Sequence, residues 1–481
     1  MRQYIIIDIG TSSLRVALIG ENLRILNIEA IKRTAEAVFD AEEEWENIFR
    51  LIKRITDKEK MIDGIAVSSL LSWVGMDAAG YAVTPCYTYM HQCMEEYEGF
   101  HNLYTDREIY AICRRRMSAE NAVFKMMHLK EQEKEVYERL ACFTTLKDFI
   151  NAKLTGIMGI DHTFACYTLL YDVEKACWSR ELIKKSGIDE NKLPVLRRPY
   201  EMLGKIKKEI AEELGIESIV PVAVGSVDGS TGILGAGASK AGMAVSVMGT
   251  TDVFFMVHKN LCDDASMGLV TNPHVCPGFW ISGGPMGIYG GAADWFIQKI
   301  MGGHWDIGKM NELAKGIPAG SEGVIAFPTL SGERTPFWNP LLRGTVLGMG
   351  MEHGPGHLFR AILEADGYAV RKIAETGKAC GIGFDQVVAL GGGSKSPLWL
   401  QMKADIMRTV HYKSSVEEAT ITGSCILLLL AGGAKLEEIP PIPVEEEFPV
   451  QEKEAEVYDA FYRQYMEIHD KVADIYANMK M

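Results

Sequence analysis

The chain has no Walker A sequence and no dinucleotide-binding glycine fingerprint, so the two commonest single-motif nucleotide sites are absent. It has no large basic cluster to set against a formal net charge of -14, which argues against nucleic acid as a partner. The longest basic run, Arg114-Arg115-Arg116, reads as a solvated helix face. Ten cysteines are scattered without a CxxC pair or a metal-ligand spacing, a usage that suits reduced thiols in a cytoplasm. No apolar run is long enough for a bilayer: the most apolar stretch, ITGSCILLLLAGGA, is short and glycine-broken and reads as a buried helix. No signal-peptide pattern precedes the first strand, and no segment is low-complexity.

What is present is an α/β pattern. At 481 residues the chain is too long for one hydrophobic core, and 47% hydrophobic with 24% charged residues is a globular balance. The opening stretch IIIDIGTSSLRVALI is a strand, a Gly-Thr-Ser turn and a return strand. It recurs near mid-chain as MAVSVMGTTDVFF. Aligned on the turn, Gly10 matches Gly249, Thr11 matches Thr250 and Ser12 matches Thr251, while Asp8 is answered by Val247. Two such hairpins, one opening each half, indicate a duplicated domain, with halves expected at residues 1–241 and 242–481. Alternating strands and helices fill the interval, among them an amphipathic helix in NAVFKMMHLKEQEKEVYERL and a strand, turn and small-residue helix in VPVAVGSVDGSTGILGAG. FDQVVALGGGSKSPLWLQMKADIM reads as strand, glycine turn and helix, with Ser396 as cap and Pro397 at the first helical position. Near the C-terminus Val457, Phe461, Tyr465, Ile468, Val472 and Ile475 form one apolar helical stripe.

Four glycine turns each follow a strand: Gly10-Thr11-Ser12, Gly225 to Gly229, Gly249-Thr250-Thr251, and Gly391-Gly392-Gly393-Ser394. Such turns leave backbone N–H groups free to meet phosphate oxygens, and a following helix N-terminus favours negative charge. Asp8, at a strand end beside one of these turns, is either a satisfied core acid or a carboxylate that holds Mg²⁺. Arg15 either neutralises phosphate or lies on the surface. Asp228, at the start of the small-residue helix, is either an N-cap or the base that takes a proton from an attacking alcohol.

At these residues the sequence resembles the FGGY carbohydrate kinases. IDIGTSSLRVAL is similar to the family's first phosphate hairpin, SVMGTTDVFF to its second, and LKDFINAKLTG to a mid-domain helix. VPVAVGSVDGSTGILGAG resembles the segment bearing the catalytic aspartate, while LSGERTPFWNPLLRGTVLGM and LGGGSKSPLWLQMKAD resemble second-domain blocks. The resemblance implies two actin-like (ribonuclease H-like) ATPase domains with a nucleotide cleft between them, and ATP and Mg²⁺ as cofactors. It makes Asp228 the general base and Asp8 the metal residue, with Thr11, Ser12 and Arg15 at the phosphates. It places Gly249 and Thr250 at the outer phosphates and Gly392, Gly393 and Ser394 at the nucleoside, and matches Gly291 to a nucleotide-side position. Glu333 and Arg334 fall in a family block whose role the sequence does not separate from structural pairing.

The departures lie on the sugar side. Where ketose kinases usually carry Met-His-Gly this chain reads Leu70-Leu71-Ser72, and in place of Trp-x-Asp-x-Arg it has Tyr89-Met90-His91-Gln92-Cys93. In the first family signature the lysine persists as Lys125, but its usual tryptophan is His128 and its usual Pro/Ser/Thr is Ala122. Leu71, Ser72, His91 and Asp228 are the expected substrate positions. The expected acceptor is a small open-chain sugar, first a ketose such as xylulose, with a sugar acid such as gluconate or a polyol as the alternative. An actin-like ATPase switch is the alternative of another class. A neutral substrate is favoured because YMHQC offers only His91, mostly neutral at pH 7, although Lys125 could supply a cation. The partner expected is the small sugar and, beyond it, at most a second copy of the chain; neither nucleic acid nor membrane is expected.

Overall fold

The structure, a computed structural model, describes residues 1–479. It divides into two compact units. The first comprises Met1–Gly237, Asn272–Phe279 and Glu418–Pro441; the second comprises Ala238–Thr271, Trp280–Glu417 and the chain from Ile442 on. The main break falls near the expected boundary at residues 241 and 242, but two segments of the second half belong with the first unit. Packing explains the longer of them. The helix Ala419–Ala431 lies against the helix Asp228–Gly235. A Cβ on Gly235 would sit 1.8 Å from the Ala419 carbonyl oxygen, and one on Gly423 would sit 1.8 Å from that of Thr231. Only glycine on both helices permits this approach.

The sheet of the first unit runs Met202–Lys205, Pro221–Ala223, Gly64–Ser69, Gln3–Ile9, Ser13–Gly20, Ile25–Lys32. The last three strands form an antiparallel meander, and Gly64–Ser69 and Pro221–Ala223 join it in parallel. In the second unit Trp280–Gly287, Asp252–His258 and Gly242–Met248 form the meander, and Phe384–Leu390 and Val410–Ser414 join in parallel. The same succession in both units is what a duplicated domain requires. The central strands are near-continuous apolar runs because they are covered on both faces. Ile5, Ile7, Val16, Ile65 and Val67 pack with Ile48, Leu51 and Ile55 of the helix Ala41–Thr56; Phe254, Met256 and Val387 pack with Phe359, Leu363 and Ile373 of the helix Pro355–Ala379.

Three local expectations need correction. The basic run is not a solvated helix face: the helix Asp106–Cys113 ends at Arg114, whose left-handed backbone (φ 53°) turns the chain inward and leaves Arg115 5% exposed. The helix read in NAVFKMMHLKEQEKEVYERL breaks at Glu133 into Ala122–Gln132 and Lys134–Arg139. The C-terminal helix Glu452–Asn478 buries Ala455, Tyr458, Tyr462, Tyr465, His469 and Val472, whereas Val457 and Ile475 are exposed. The docking face is thus rotated from the apolar stripe toward tyrosines and a histidine, of which Tyr458, Tyr462 and His469 bond Arg360, Glu375 and Glu333. Among the described residues all ten cysteines are unbridged, and no helix is long and apolar enough to cross a membrane.

Candidate active site

In the first unit the short strand Ser226–Val227 pairs with the end of Gly64–Ser69, Ser226 opposite Ser68 and Val227 opposite Ser69. Asp228 follows as the first residue of its helix; the cap position is Val227. The turn before it needs glycine: Gly225 has φ +69°, and a Cβ there would lie 2.0 Å from the Val67 carbonyl oxygen. The Ser68 hydroxyl donates to the Ser226 carbonyl at 3.1 Å and pairs with Thr231 at 3.0 Å, while Thr231 donates to the Asp228 carbonyl at 3.0 Å. A buried cation braces the same run. Lys147 is fully buried, ion-paired to Asp148 and, at 3.4 Å, to Asp161, and donates to the Val224 carbonyl at 3.0 Å; Ser226 donates to Asp161 at 2.7 Å. The backbone leading to Asp228 is therefore fixed from both sides.

The Asp228 carboxylate is only lightly engaged, accepting the Gly229 N–H at 2.7 Å. Densely surrounded yet still touched by solvent, it is pushed up to about 7, first by loss of hydration and then by the charge of Asp8. It does not act as an N-cap. It is a carboxylate held half-titrated near neutrality, the condition that suits a general base.

Asp8 is buried in the first hairpin, directly opposite Arg15 in the strand register, and Arg15 Nη2 meets Asp8 Oδ2 at 2.5 Å. Arg15 Nη1 pairs with Glu418, delivered by the segment that packs on the Asp228 helix. The arginine that the sequence assigns to phosphate thus already has two acid partners, with only Nε unpaired. Asp8 Oδ1 is buried without any hydrogen-bond donor, and burial lifts the carboxyl to about 6 despite Arg15. An orphaned carboxylate oxygen beside a glycine turn fits a hard divalent cation. Gly10 and Thr11 are half-buried and Ser12 is exposed at the tip.

In the second unit the two predicted turns converge with the helix Tyr289–Trp295, which carries Gly291. The Gly291 amide donates to the Thr250 carbonyl at 3.0 Å, and a Cβ on Gly290 would lie 2.0 Å from the Gly249 carbonyl oxygen. A Cβ on Gly391 would lie 2.8 Å from the Met248 carbonyl oxygen, and one on Gly393 2.8 Å from the Met248 Cβ. Gly249, Thr250, Gly291, Gly392 and Gly393 therefore share one backbone platform around Met248. Ser394 is buried and spends its hydroxyl on the Gly391 carbonyl at 2.7 Å, so it closes the turn rather than facing outward. Ser396 caps the helix Pro397–Met407 through the Trp399 amide, as the sequence predicts. Beneath the platform lies a feature not read from the sequence. Lys403, Asp252 and Asp366 are all fully buried, with Lys403 Nζ 2.6 Å from Asp366, 3.3 Å from Asp252 and 3.1 Å from the Ser246 hydroxyl. Burial and the mutual repulsion of the two acids hold Asp252 protonated well above its ordinary range. Only the fold brings together residues so far apart in sequence.

Glu333 accepts a hydrogen bond from His469 at 2.8 Å in a buried pair. Burial opposes the imidazolium, but the Glu333 bond and charge prevail and raise His469 above the ordinary histidine value. The block containing Glu333 and Arg334 is thereby tied to the C-terminal helix. Glu322, His353 and His357 also gather their ligand atoms within 4.8 Å of one another. In both imidazoles Nδ1 accepts a backbone amide, so Nε2 carries the proton, and His357 donates it to Glu322 at 3.0 Å. That cluster is a hydrogen-bonded clasp, not a bare ligand set.

On the sugar side, Leu71 is half-buried and its carbonyl accepts from Tyr89 at 3.0 Å; the Ser72 hydroxyl turns inward to the Leu70 carbonyl at 2.9 Å. His91 packs 4.8 Å from the Tyr87 ring and is held below the ordinary histidine value by burial and by Lys125. Lys125 Nζ is buried and donates to the His91 and Glu120 carbonyls at 2.9 and 2.8 Å. Its role is to pin that loop. Tyr167, absent from the sequence reading, is half-buried; burial raises its phenol, Arg115 opposes the rise, and the charge of Asp228 adds a smaller push.

The comparisons with known proteins agree across the chain. The profile described as "FGGY family of carbohydrate kinases, N-terminal domain" matches residues 3–235, and that of the C-terminal domain matches 244–432. The xylulose kinase of Escherichia coli is 26% identical over 457 residues, covering 92% of this chain and 93% of that one. The gluconokinase of Bacillus subtilis is 27% identical over 462 residues, covering 89% and 87%. The crystal structure of a xylulose kinase from Rhodospirillum rubrum shares the fold with a TM-score of 0.93 at 22% identity, covering 99% of this chain and all of that one. With both domains matched in order, the chain belongs to the FGGY family of carbohydrate kinases: it is a sugar kinase, a phosphotransferase that takes its phosphoryl group from ATP and gives it to an alcohol.

Proposed function

We propose that this kinase phosphorylates one hydroxyl of a small open-chain sugar, with Asp228 accepting the hydroxyl proton. The observation that carries the reading is the state of Asp228: braced backbone, a single hydrogen bond from the neighbouring Gly229 amide and a carboxyl lifted to about 7. Phosphoryl transfer needs positioned groups, charge neutralisation and one such acceptor. Thr11 and Ser12 on the first hairpin, and Gly249 and Thr250 on the second, offer backbone and hydroxyl donors for phosphate oxygens. Gly291, Gly392 and Gly393 offer close backbone approach for the nucleoside. Asp8 would hold Mg²⁺ through its unpaired oxygen. Bound there, the ion would neutralise phosphate charge. Arg15, already paired with Asp8, sets the orientation of that carboxylate.

The names of the relatives make xylulose the first acceptor to test and gluconate the second. The second has a specific observation in its favour, the buried Arg115. ADP release measured over neutral ketoses, polyols and sugar acids, for wild type and Asp228→Asn, tests the assignment. One acceptor should stimulate the wild type strongly and the variant barely. Normal turnover in a folded Asp228→Asn would refute the base.

A further inference from the structure

Arg115 is a buried cation without a counter-charge. Its Nη2 donates to Asn272 Oδ1 at 2.5 Å, and its guanidinium stacks on Tyr167 with 4.0 Å to the ring centroid. Among the described residues no carboxylate lies within ion-pairing distance of it, and its Nε has no acceptor. Asn272 is completely buried as well, and its Nδ2 also has no acceptor. Two buried donors on adjacent side chains, one of them charged, therefore lack any acceptor. Buried charges are ordinarily paired and buried donors ordinarily bonded, because leaving them unmet is costly. Lys147 and Arg15 of the same unit each meet two carboxylates, and Lys125 meets two carbonyls.

These two donors match one chemistry. An oxyanion supplies the acceptors that both groups lack, and its bond to Arg115 is charge-assisted. The position matches as well. Tyr167 carries the guanidinium on its ring, and its phenol is raised by burial and, to a lesser degree, by the charge of Asp228. We infer that Arg115 and Asn272 form an anion subsite for the acceptor substrate, so that the molecule offering its hydroxyl to Asp228 carries a carboxylate or a phosphate ester at its other end. Arg115 then supplies the cation that the YMHQC stretch lacks and that Lys125, bound to two carbonyls, does not provide. The inference rests on Asp228 being the base. The two fail differently: Asp228→Asn lowers turnover of every acceptor, whereas loss of the anion subsite changes only the ratio of acidic to neutral ones.

The test compares kcat/KM for gluconate with that for its neutral counterpart glucitol, and for ribulose 5-phosphate with that for ribulose, in wild type, Arg115→Met and Asn272→Asp. Asn272→Asp is nearly isosteric and places a carboxylate against Arg115, satisfying it internally. Hydrogen bonds to a charged group correspond to roughly 10- to 150-fold. The wild type should prefer one anionic member of a pair by that factor. Preference for gluconate identifies a carboxylate and preference for ribulose 5-phosphate a phosphate ester. Both variants should bring the ratio close to one. A binding measurement independent of turnover accompanies it: the melting temperature in gluconate and in inorganic phosphate should rise for wild type and stay flat for Asn272→Asp. Preference for the neutral member of both pairs, a ratio unmoved by either variant, or equal thermal shifts in wild type and Asn272→Asp would overturn the inference.

Discussion

At the first hairpin a Cβ on Gly10 would lie 3.2 Å from the Ser13 carbonyl oxygen; at the second, a Cβ on Gly249 would lie 3.3 Å from that of Thr251. The turns differ in span, four residues between Ile9 and Leu14 and three between Met248 and Asp252, and the charges are placed in opposite ways. Asp8 faces Arg15 across the first hairpin, while Val247 faces Val253 across the second. The second hairpin has its acid at Asp252, past the turn, sealed against Lys403 and Asp366 with no exposure. Each acid keeps its Oδ1 without a donor; Asp8 meets Arg15 through its other oxygen, and Asp252 meets Lys403. The duplicated hairpin thus carries its acid before the glycine turn in one unit and after it in the other, each paired with a cation.

The largest effect should come from Asp228, which the first hairpin serves and the second has no counterpart to. General acid–base assistance is typically worth ~10²–10⁴-fold, so Asp228→Asn should lower kcat by that order while nucleotide affinity, read by equilibrium binding, stays within about threefold. The pH dependence has a definite sign. Burial and Asp8 raise Asp228 to about 7, so the carboxylate is progressively protonated below that value. Turnover should fall about tenfold per pH unit on the acid side of about 7, and a rate flat down to pH 5 would contradict this. Next in size is the sealed acid cluster. Lys403→Met removes the ammonium that both buried acids meet and should cost on the order of 3–5 kcal/mol in denaturant unfolding, with weaker nucleotide binding because Asp252 borders the second turn. The smallest effect belongs to Val247. It is only half-buried, so Val247→Ala should cost about 1 kcal/mol in the same assay, below what a fully buried valine would lose.

Much of this arrangement was legible in the sequence because it is local. The hairpins, the strand and small-residue helix around Asp228, and the cap at Ser396 with Pro397 are each written in a short run of residues. The cation clusters were not legible, because their members come together only through the sheets: Lys403 lies 151 positions from Asp252, and Arg115 lies 157 from Asn272. Arg115 was misread for a physical reason. Three consecutive arginines pattern as surface, and nothing in composition announces that Arg114 turns left-handed and drives the next residue inward. The C-terminal helix was misread by the apolar periodicity itself, since tyrosine and histidine bury well once Arg360, Glu375 and Glu333 give their polar atoms partners.

The contrast between the hairpins is tested most directly by a Mg²⁺ titration of kinase activity in wild type, Asp8→Asn and Val247→Ala. If the unpaired oxygen of Asp8 serves the metal, Asp8→Asn should need roughly 10- to 100-fold more Mg²⁺ for half-maximal activity, and Val247→Ala should follow the wild-type curve. Superimposable curves for wild type and Asp8→Asn would contradict the account and return Asp8 to a structural partner of Arg15.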